Sequence, residues 1–229
     1  MPGLHWERSR IELTLALTLM LASTFPFWFT DLDITAAAGF YHSPSAGGEA
    51  WPEKNFWLWR GLFAIASPLV WSVLAAAVLT ALLGGRIGAL KPYRRAGCYI
   101  ALVIAIGPGL LVNVLFKNHW GRPRPVHIMQ FNGEHHYLPP LQIGATPDKS
   151  FVCGHCSAAF SFFAFYFLAR RGKNWILAFT LGFGAIMGYS RMAAGGHFLS
   201  DVLWSGLIVF LTAYILYYAW YARTAKSDS

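Results

Sequence analysis

The sequence predicts an all-α, polytopic membrane protein: six transmembrane helices in one bundle, with both termini in the cytoplasm. Three observations carry that prediction. The composition is 56% hydrophobic, 17% aromatic and only 12% charged, whereas about a quarter of the residues of a soluble domain are charged. Six runs are long and apolar enough, or nearly so, for a hydrocarbon core that takes about 20 residues per helix. Lysine and arginine, finally, fall unevenly on the two sides that those runs define.

The first run, 11–29, follows Arg8 and Arg10 and leads into Asp31 and Asp33 without a small-residue cleavage site, so it reads as a retained helix rather than a secretory signal. Trp51, Phe56, Trp57 and Trp59 precede or open the second, 61–84, as an interfacial aromatic belt. The third, 96–116, contains Cys98 as a packing residue and Gly107-Pro108-Gly109, which should kink it. Cys153-Gly154-His155-Cys156 opens the fourth, 153–169. In the fifth, 174–190, Gly184 and Gly188 form a small-xxx-small face for close helix packing. The sixth is 200–221. Connections are short, with no internal repeat and no low-complexity linker, so 1–229 reads as a single domain.

Orientation follows from the charges. The side holding the termini carries eleven basic residues, Arg8, Arg10, Arg86, Lys91, Arg94, Arg95, Arg170, Arg171, Lys173, Arg223 and Lys226, against three acids, Glu7, Glu12 and Asp228. The other side carries seven of each sign. By the positive-inside rule the first side is cytoplasmic. The basic balance of the chain therefore reports topology, and no nucleic-acid partner is expected.

On the outer side, polar residues gather in three segments at helix ends. "KNHWGRPRP" places Lys117, Arg122 and Arg124 directly after the third run. The "CGHC" segment sits at the mouth of the fourth. "SRMAAGGHFLSDVL" joins the fifth and sixth and carries Arg191, His197 and Asp201. All three fall at one membrane level, and ionisable groups at membrane depth point to function. Converging cations call for an anion. His197 and Asp201 are four apart, so on a helix the carboxylate can hold one imidazole nitrogen and leave the other free to attack.

The C-x-x-C pair admits a second reading, a membrane thiol-disulfide oxidoreductase, because a helix N-terminus activates a thiol. That reading leaves Lys117, Arg124, Arg191, His197 and Asp201 idle and supplies no second cysteine pair. The C-x5-R loop of soluble cysteine phosphatases is absent, since Ala159 and Phe162 stand where its arginine would be.

Lys117 to Pro125 fits K-x6-R-P, Ser190 to Asp201 fits S-R-x5-H-x3-D, and the "CGHC" segment stands in the place of P-S-G-H. In that order and spacing the chain resembles the type 2 phosphatidic acid phosphatase family of integral-membrane lipid phosphatases. The motifs cover roughly residues 100 to 215, with the core at 117–201. The resemblance implies phosphate ester hydrolysis without a metal or other cofactor. It implies that Lys117, Arg124 and Arg191 clamp the phosphate, and that His197 is the nucleophile that becomes a phosphohistidine, oriented by Asp201. His155 would protonate the departing oxygen and then activate water, while Gly154 and Cys153 would offer backbone N–H groups. Arg122 lies outside the motif, with a role in positioning the loop or headgroup. His127, His135 and His136 read as polar loop residues rather than a metal site.

Val152 and Cys153 depart from the family's Pro and Ser, and Cys offers only a weak S–H donor. Cys153 and Cys156 read as small replacements for Ser and Ala, or as a possible redox pair whose oxidation alters activity. The implied substrate is a lipid-linked phosphate at the extracytoplasmic face, in a bacterial inner membrane with the site toward the periplasm. Lipid A, phosphatidylglycerophosphate and undecaprenyl diphosphate all fit, and "GGHFLSDVL" is most similar to bacterial lipid A phosphatases. A lipid phosphotransferase with the same site, or a lipid-binding protein without turnover, stays open, as does the oligomeric state.

Overall fold

A computed structural model describes residues 2–44 and 48–222, with the backbone alone at 2–6 and 8. Arg223, Lys226 and Asp228, which enter the charge count, lie outside the described residues.

The chain is helical almost throughout. α1 (Pro2–Ala22) ends where the Ser23 and Thr24 hydroxyls turn back to the Met20 carbonyl, at 3.1 and 2.8 Å. Short helices α2 (Phe25–Phe29) and α3 (Leu32–Ala38) follow. α4 (Trp57–Leu83) runs back through the bundle and packs against α5 (Arg94–Ile104). The predicted kink at Gly107-Pro108-Gly109 takes the form of a widened, π-helical stretch over Ala105–Phe116. Pro108 brings no N–H to the helix, and the Asn113 amide caps its carbonyl at 2.7 Å. A final turn, α6 (Lys117–His119), closes this long helix.

Among the described residues, five helices are long and apolar enough to cross a membrane: Ser9–Phe29, Trp57–Leu83, Gly88–His119, Lys173–Ala193 and Leu199–Tyr221. They coincide with five of the six expected runs. The fourth run is different, since its apolar part, Gly154–Leu168, is divided into α7 (Gly154–Phe160) and α8 (Phe163–Leu168). At about 1.5 Å per residue it falls short of a hydrocarbon core. It is nonetheless well enclosed, with Cys156, Ala159, Phe160, Phe163, Ala164 and Phe167 all buried against its neighbours.

α9 (Lys173–Ala193) and α10 (Leu199–Leu216) complete the bundle around it. The two glycines of the expected packing face do that work. A Cβ on Gly184 would stand 2.1 Å from the Phe160 ring of α7, and one on Gly188 2.4 Å from Val202 of α10. The aromatic belt is only half what the sequence suggested. Phe56 and Trp57 point outward, but Trp51 and Trp59 are buried, packed on Phe131 and Tyr189. Among the described residues there is no named strand, only a single bridge between Ile128 and His135 in the outer loop. The ends of α6 and α9 and the starts of α7 and α10 meet beneath that loop.

Candidate active site

His197 lies in the short turn between α9 and α10, 2% exposed. Its Nδ1 is 2.7 Å from the Ser150 carbonyl, which fixes that nitrogen as the N–H and leaves Nε2 with a free lone pair. Asp201 stands farther off, 3.6 Å from Nδ1. Its Oδ2 accepts from the Ser150 hydroxyl at 2.6 Å and from the Phe198 N–H at 2.9 Å, closing the first turn of α10. Ser150 therefore mediates the contact that the i, i+4 spacing assigned to Asp201 alone. Burial holds the His197 imidazole below its ordinary pKa, with Asp201 only partly offsetting it, so the ring is neutral at pH 7.

Lys117 and Arg191 lie within electrostatic range of His197 and His155, and Arg124 lies within range of those two cations. None makes a salt bridge among the described residues. The Nε atoms of Arg124 and Arg191 are buried with no hydrogen-bond partner there. Three uncompensated cations in one half-buried cluster are costly unless an anion joins them. Two glycines let them close in. A Cβ on Gly154 would meet Lys117 Nζ at 3.0 Å and Asn113 Oδ1 at 2.8 Å, and one on Gly196 would meet the Arg191 guanidinium at 2.6 Å.

His155, at the start of α7, is half-buried, its ring 5.4 Å from that of Phe63. The Arg191 guanidinium lies 4.9 Å over the same ring, so Phe63 of α4 seats both. A cavity of about 420 Å³ opens beside them, with Lys117, Gly154 and His155 at its polar end. The remainder runs between α4 and the widened stretch, along Val70, Trp71, Leu74, Ile104 and Pro108.

Cys153 and Cys156 are bonded to each other, and both are fully buried. The Cys153 N–H points to the Asp201 carbonyl at 3.4 Å, and its sulfur accepts the Cys156 N–H at 3.2 Å. As a half-cystine Cys153 has no S–H to offer, and its N–H is directed at that carbonyl. Exchange catalysis needs an exposed, attackable sulfur, and neither atom is one.

Arg122, set aside in the sequence, is fully buried. It pairs with Asp201 Oδ1 at 2.5 Å and with Asp33 Oδ2 of α3 at 2.8 Å. Burial works against its charge, but the two carboxylates raise its pKa further above an already high ordinary value. Ser150 and Phe63 escaped the sequence reading, and Asp33 entered it only as a charge after the first run. His127 pairs with Asp148 at 2.7 Å at the loop surface, and no group of three or more potential metal ligands occurs among the described residues.

A neutral histidine with one free nitrogen, facing three unpaired cations and a second histidine, is equipped for phosphoryl transfer. The family profile described as the PAP2 superfamily matches residues 96–225, which takes in every one of these groups except Phe63 and Asp33. The chain belongs to that superfamily. A protein of Francisella tularensis subsp. novicida named "Lipid A 4'-phosphatase" is 39% identical over 222 residues, 94% of this chain and 98% of the relative. One of the same name from Rhizobium etli is 33% identical over 192 residues, 80% of this chain and 73% of the relative. A third, from Rhizobium leguminosarum, is 35% identical over 113 residues, 47% and 48% of the two chains. No solved structure matches.

Proposed function

We propose that the protein is a membrane phosphatase that removes a phosphate monoester from a lipid A-type glycolipid at the outer surface of the bacterial inner membrane. The observation that carries this reading is the cluster of three cations, Lys117, Arg124 and Arg191, that make no salt bridge among the described residues, two of them, Lys117 and Arg191, within electrostatic range of His197. The length over which the Francisella relative aligns supports the substrate class. The excess of lysine and arginine on the terminal side supports a periplasmic site and cytoplasmic termini, with α7 and α8 serving as the sixth crossing.

In the first half-reaction the His197 Nε2 lone pair forms a bond to phosphorus while the bond to the sugar oxygen breaks. That oxygen takes its proton from His155. The cations hold the three equatorial oxygens as charge concentrates on them. In the second half, His155 removes a proton from water, the water oxygen bonds to phosphorus, and the N–P bond pair returns to His197. The apolar length of the cavity suits a lipid tail that stays in the bilayer while its phosphate reaches the polar end.

Purified protein in detergent micelles should release inorganic phosphate from lipid A, and His197→Ala should lower that rate by at least about a thousandfold. Wild-type protein that releases none from lipid A, while cleaving phosphatidylglycerophosphate or undecaprenyl diphosphate, would place the chain on another substrate. Release that survives His197→Ala would remove the mechanism.

A further inference from the structure

On the Nδ1 side of His197, where Asp201 stands 3.6 Å away, a buried chain of charges has no place in the mechanism as so far described. Arg122 spends all its donors on it. Nε donates to the Leu138 carbonyl at 2.8 Å, one terminal nitrogen to the Ser200 hydroxyl at 2.9 Å and to Asp201, and the other to Asp33 and, at 3.4 Å, to the Tyr137 hydroxyl. Asp33 also accepts the Ser200 N–H at 2.9 Å and its hydroxyl at 2.5 Å. Both acids and the arginine are completely shielded from solvent.

One carboxylate suffices to neutralise one guanidinium. Here there are two, so the Asp33–Arg122–Asp201 chain carries one surplus negative charge at a depth where charge is expensive to hold. It is aimed at the imidazole, with Asp201 3.6 Å from Nδ1. We propose that Asp33 and Arg122 are positioning residues for the phosphoryl transfer: together they fix Asp201 and leave a net negative charge behind His197, which stabilises the ring as it turns cationic on bonding phosphorus. The inference rests on the phosphatase reading above. Arg122 supplies rigid geometry, and Asp33 supplies the surplus charge, which Asp201 alone, neutralised by Arg122, does not provide.

The charged and titratable groups around the imidazole are Asp201 on α10, Arg191 on α9, Lys117 on α6 and His155 on α7, with Arg122 from the outer loop and Asp33 from α3 behind Asp201. Taking one negative charge from that set makes the protonated ring less stable, so the acid limb of the rate profile moves to lower pH. A structural defect alone lowers the active fraction and leaves the limb in place.

The test is the pH dependence of kcat and kcat/KM for phosphate release from lipid A in micelles, on the monodisperse fraction of wild type, Asp33→Asn, Asp33→Glu and Arg122→Lys. Comparing variants on one substrate cancels the titration of the substrate's own phosphate. Asp33→Asn is expected to lose about tenfold or more in kcat, with KM within about twofold, and to shift the acid limb down by about half a pH unit. Asp33→Glu keeps the limb at the wild-type position. Arg122→Lys keeps the charge and the limb but loses the fork, and with it kcat. If Asp33→Asn yields no monodisperse protein, Asp33→Ser gives the same readout. An Asp33 variant with unchanged kcat, or with lowered kcat and an unmoved limb, overturns the proposal while the phosphatase reading stands. Absence of phosphate release from wild type brings down both.

Discussion

The role proposed for His197 rests on what holds one of its two nitrogens and leaves the other free. Nδ1 is tied to the Ser150 carbonyl at 2.7 Å, so the lone pair belongs to Nε2, and burial keeps the ring below its ordinary pKa. The sign of the pH dependence follows. A nucleophile with a lowered pKa stays unprotonated as the pH falls through about 6.5, the unperturbed value for histidine, and is lost only below it. After correction for the titration of the substrate's phosphate, kcat/KM should therefore hold through pH 6.5 and decline at more acid pH. An acid limb centred at or above 6.5 would show a ring stabilised in its charged form. The pair His197 and Asp201 was legible in the sequence from its i, i+4 spacing. Ser150 was not, because it acts largely through its backbone carbonyl, which every residue possesses. Asp33 was counted only as a loop charge, since 167 residues separate it from the serine it holds.

At the scale of the helix, the start of α7 decides how closely the clamp can approach. Gly154 leaves room for Lys117 Nζ and Asn113 Oδ1, each of which a Cβ would meet within about 3 Å. Gly154→Ala should displace the lysine and lower kcat/KM by about ten- to a hundredfold, while thermal unfolding in detergent shifts little, because the far ends of two flexible side chains give way. Wild-type turnover in that variant would mean Lys117 does not need this approach. The Cys153–Cys156 bond closes the same turn around His155. So short a loop restricts the unfolded chain by at most about 2 kcal/mol. Cys153→Ser with Cys156→Ala should lower the unfolding temperature modestly and keep turnover within about tenfold of wild type. Complete loss of turnover in well-folded double variant would give the cysteines a chemical role. The C-x-x-C spelling was visible at once, whereas its meaning was not, since burial decides whether a sulfur can react and burial is a property of the fold.

Taken whole, the molecule is a lipid-facing shell around a short enclosed helix. Hydropathy located the five long helices among the described residues, missing the start of the third by eight residues and of the second by four, because lipid contact demands apolar side chains along the spanning part while the helix itself can run on past it. The fourth run was harder to bound, as α7 and α8 are shielded by protein and need not match the bilayer thickness. The widened stretch over Ala105–Phe116 was foreshadowed by Gly107-Pro108-Gly109 only as an irregularity. Its consequence, an apolar cavity that ends at Lys117 and His155, depends on how α4 packs beside it. Motif spacing therefore picked out the residues proposed to touch the phosphate, and the fold was needed for those packed around them, Phe63, Ser150, Arg122 and Asp33 among them. The account as a whole turns on a phosphoryl group passing through His197. The direct measurement is to mix purified protein with lipid A carrying a radioactive phosphate, quench in alkali within the first turnover, and look for label on the protein. The account predicts an alkali-stable, acid-labile phosphoprotein in wild type that is absent in His197→Ala. Phosphate release with no labelled protein at any time, or label that persists in His197→Ala, would contradict it.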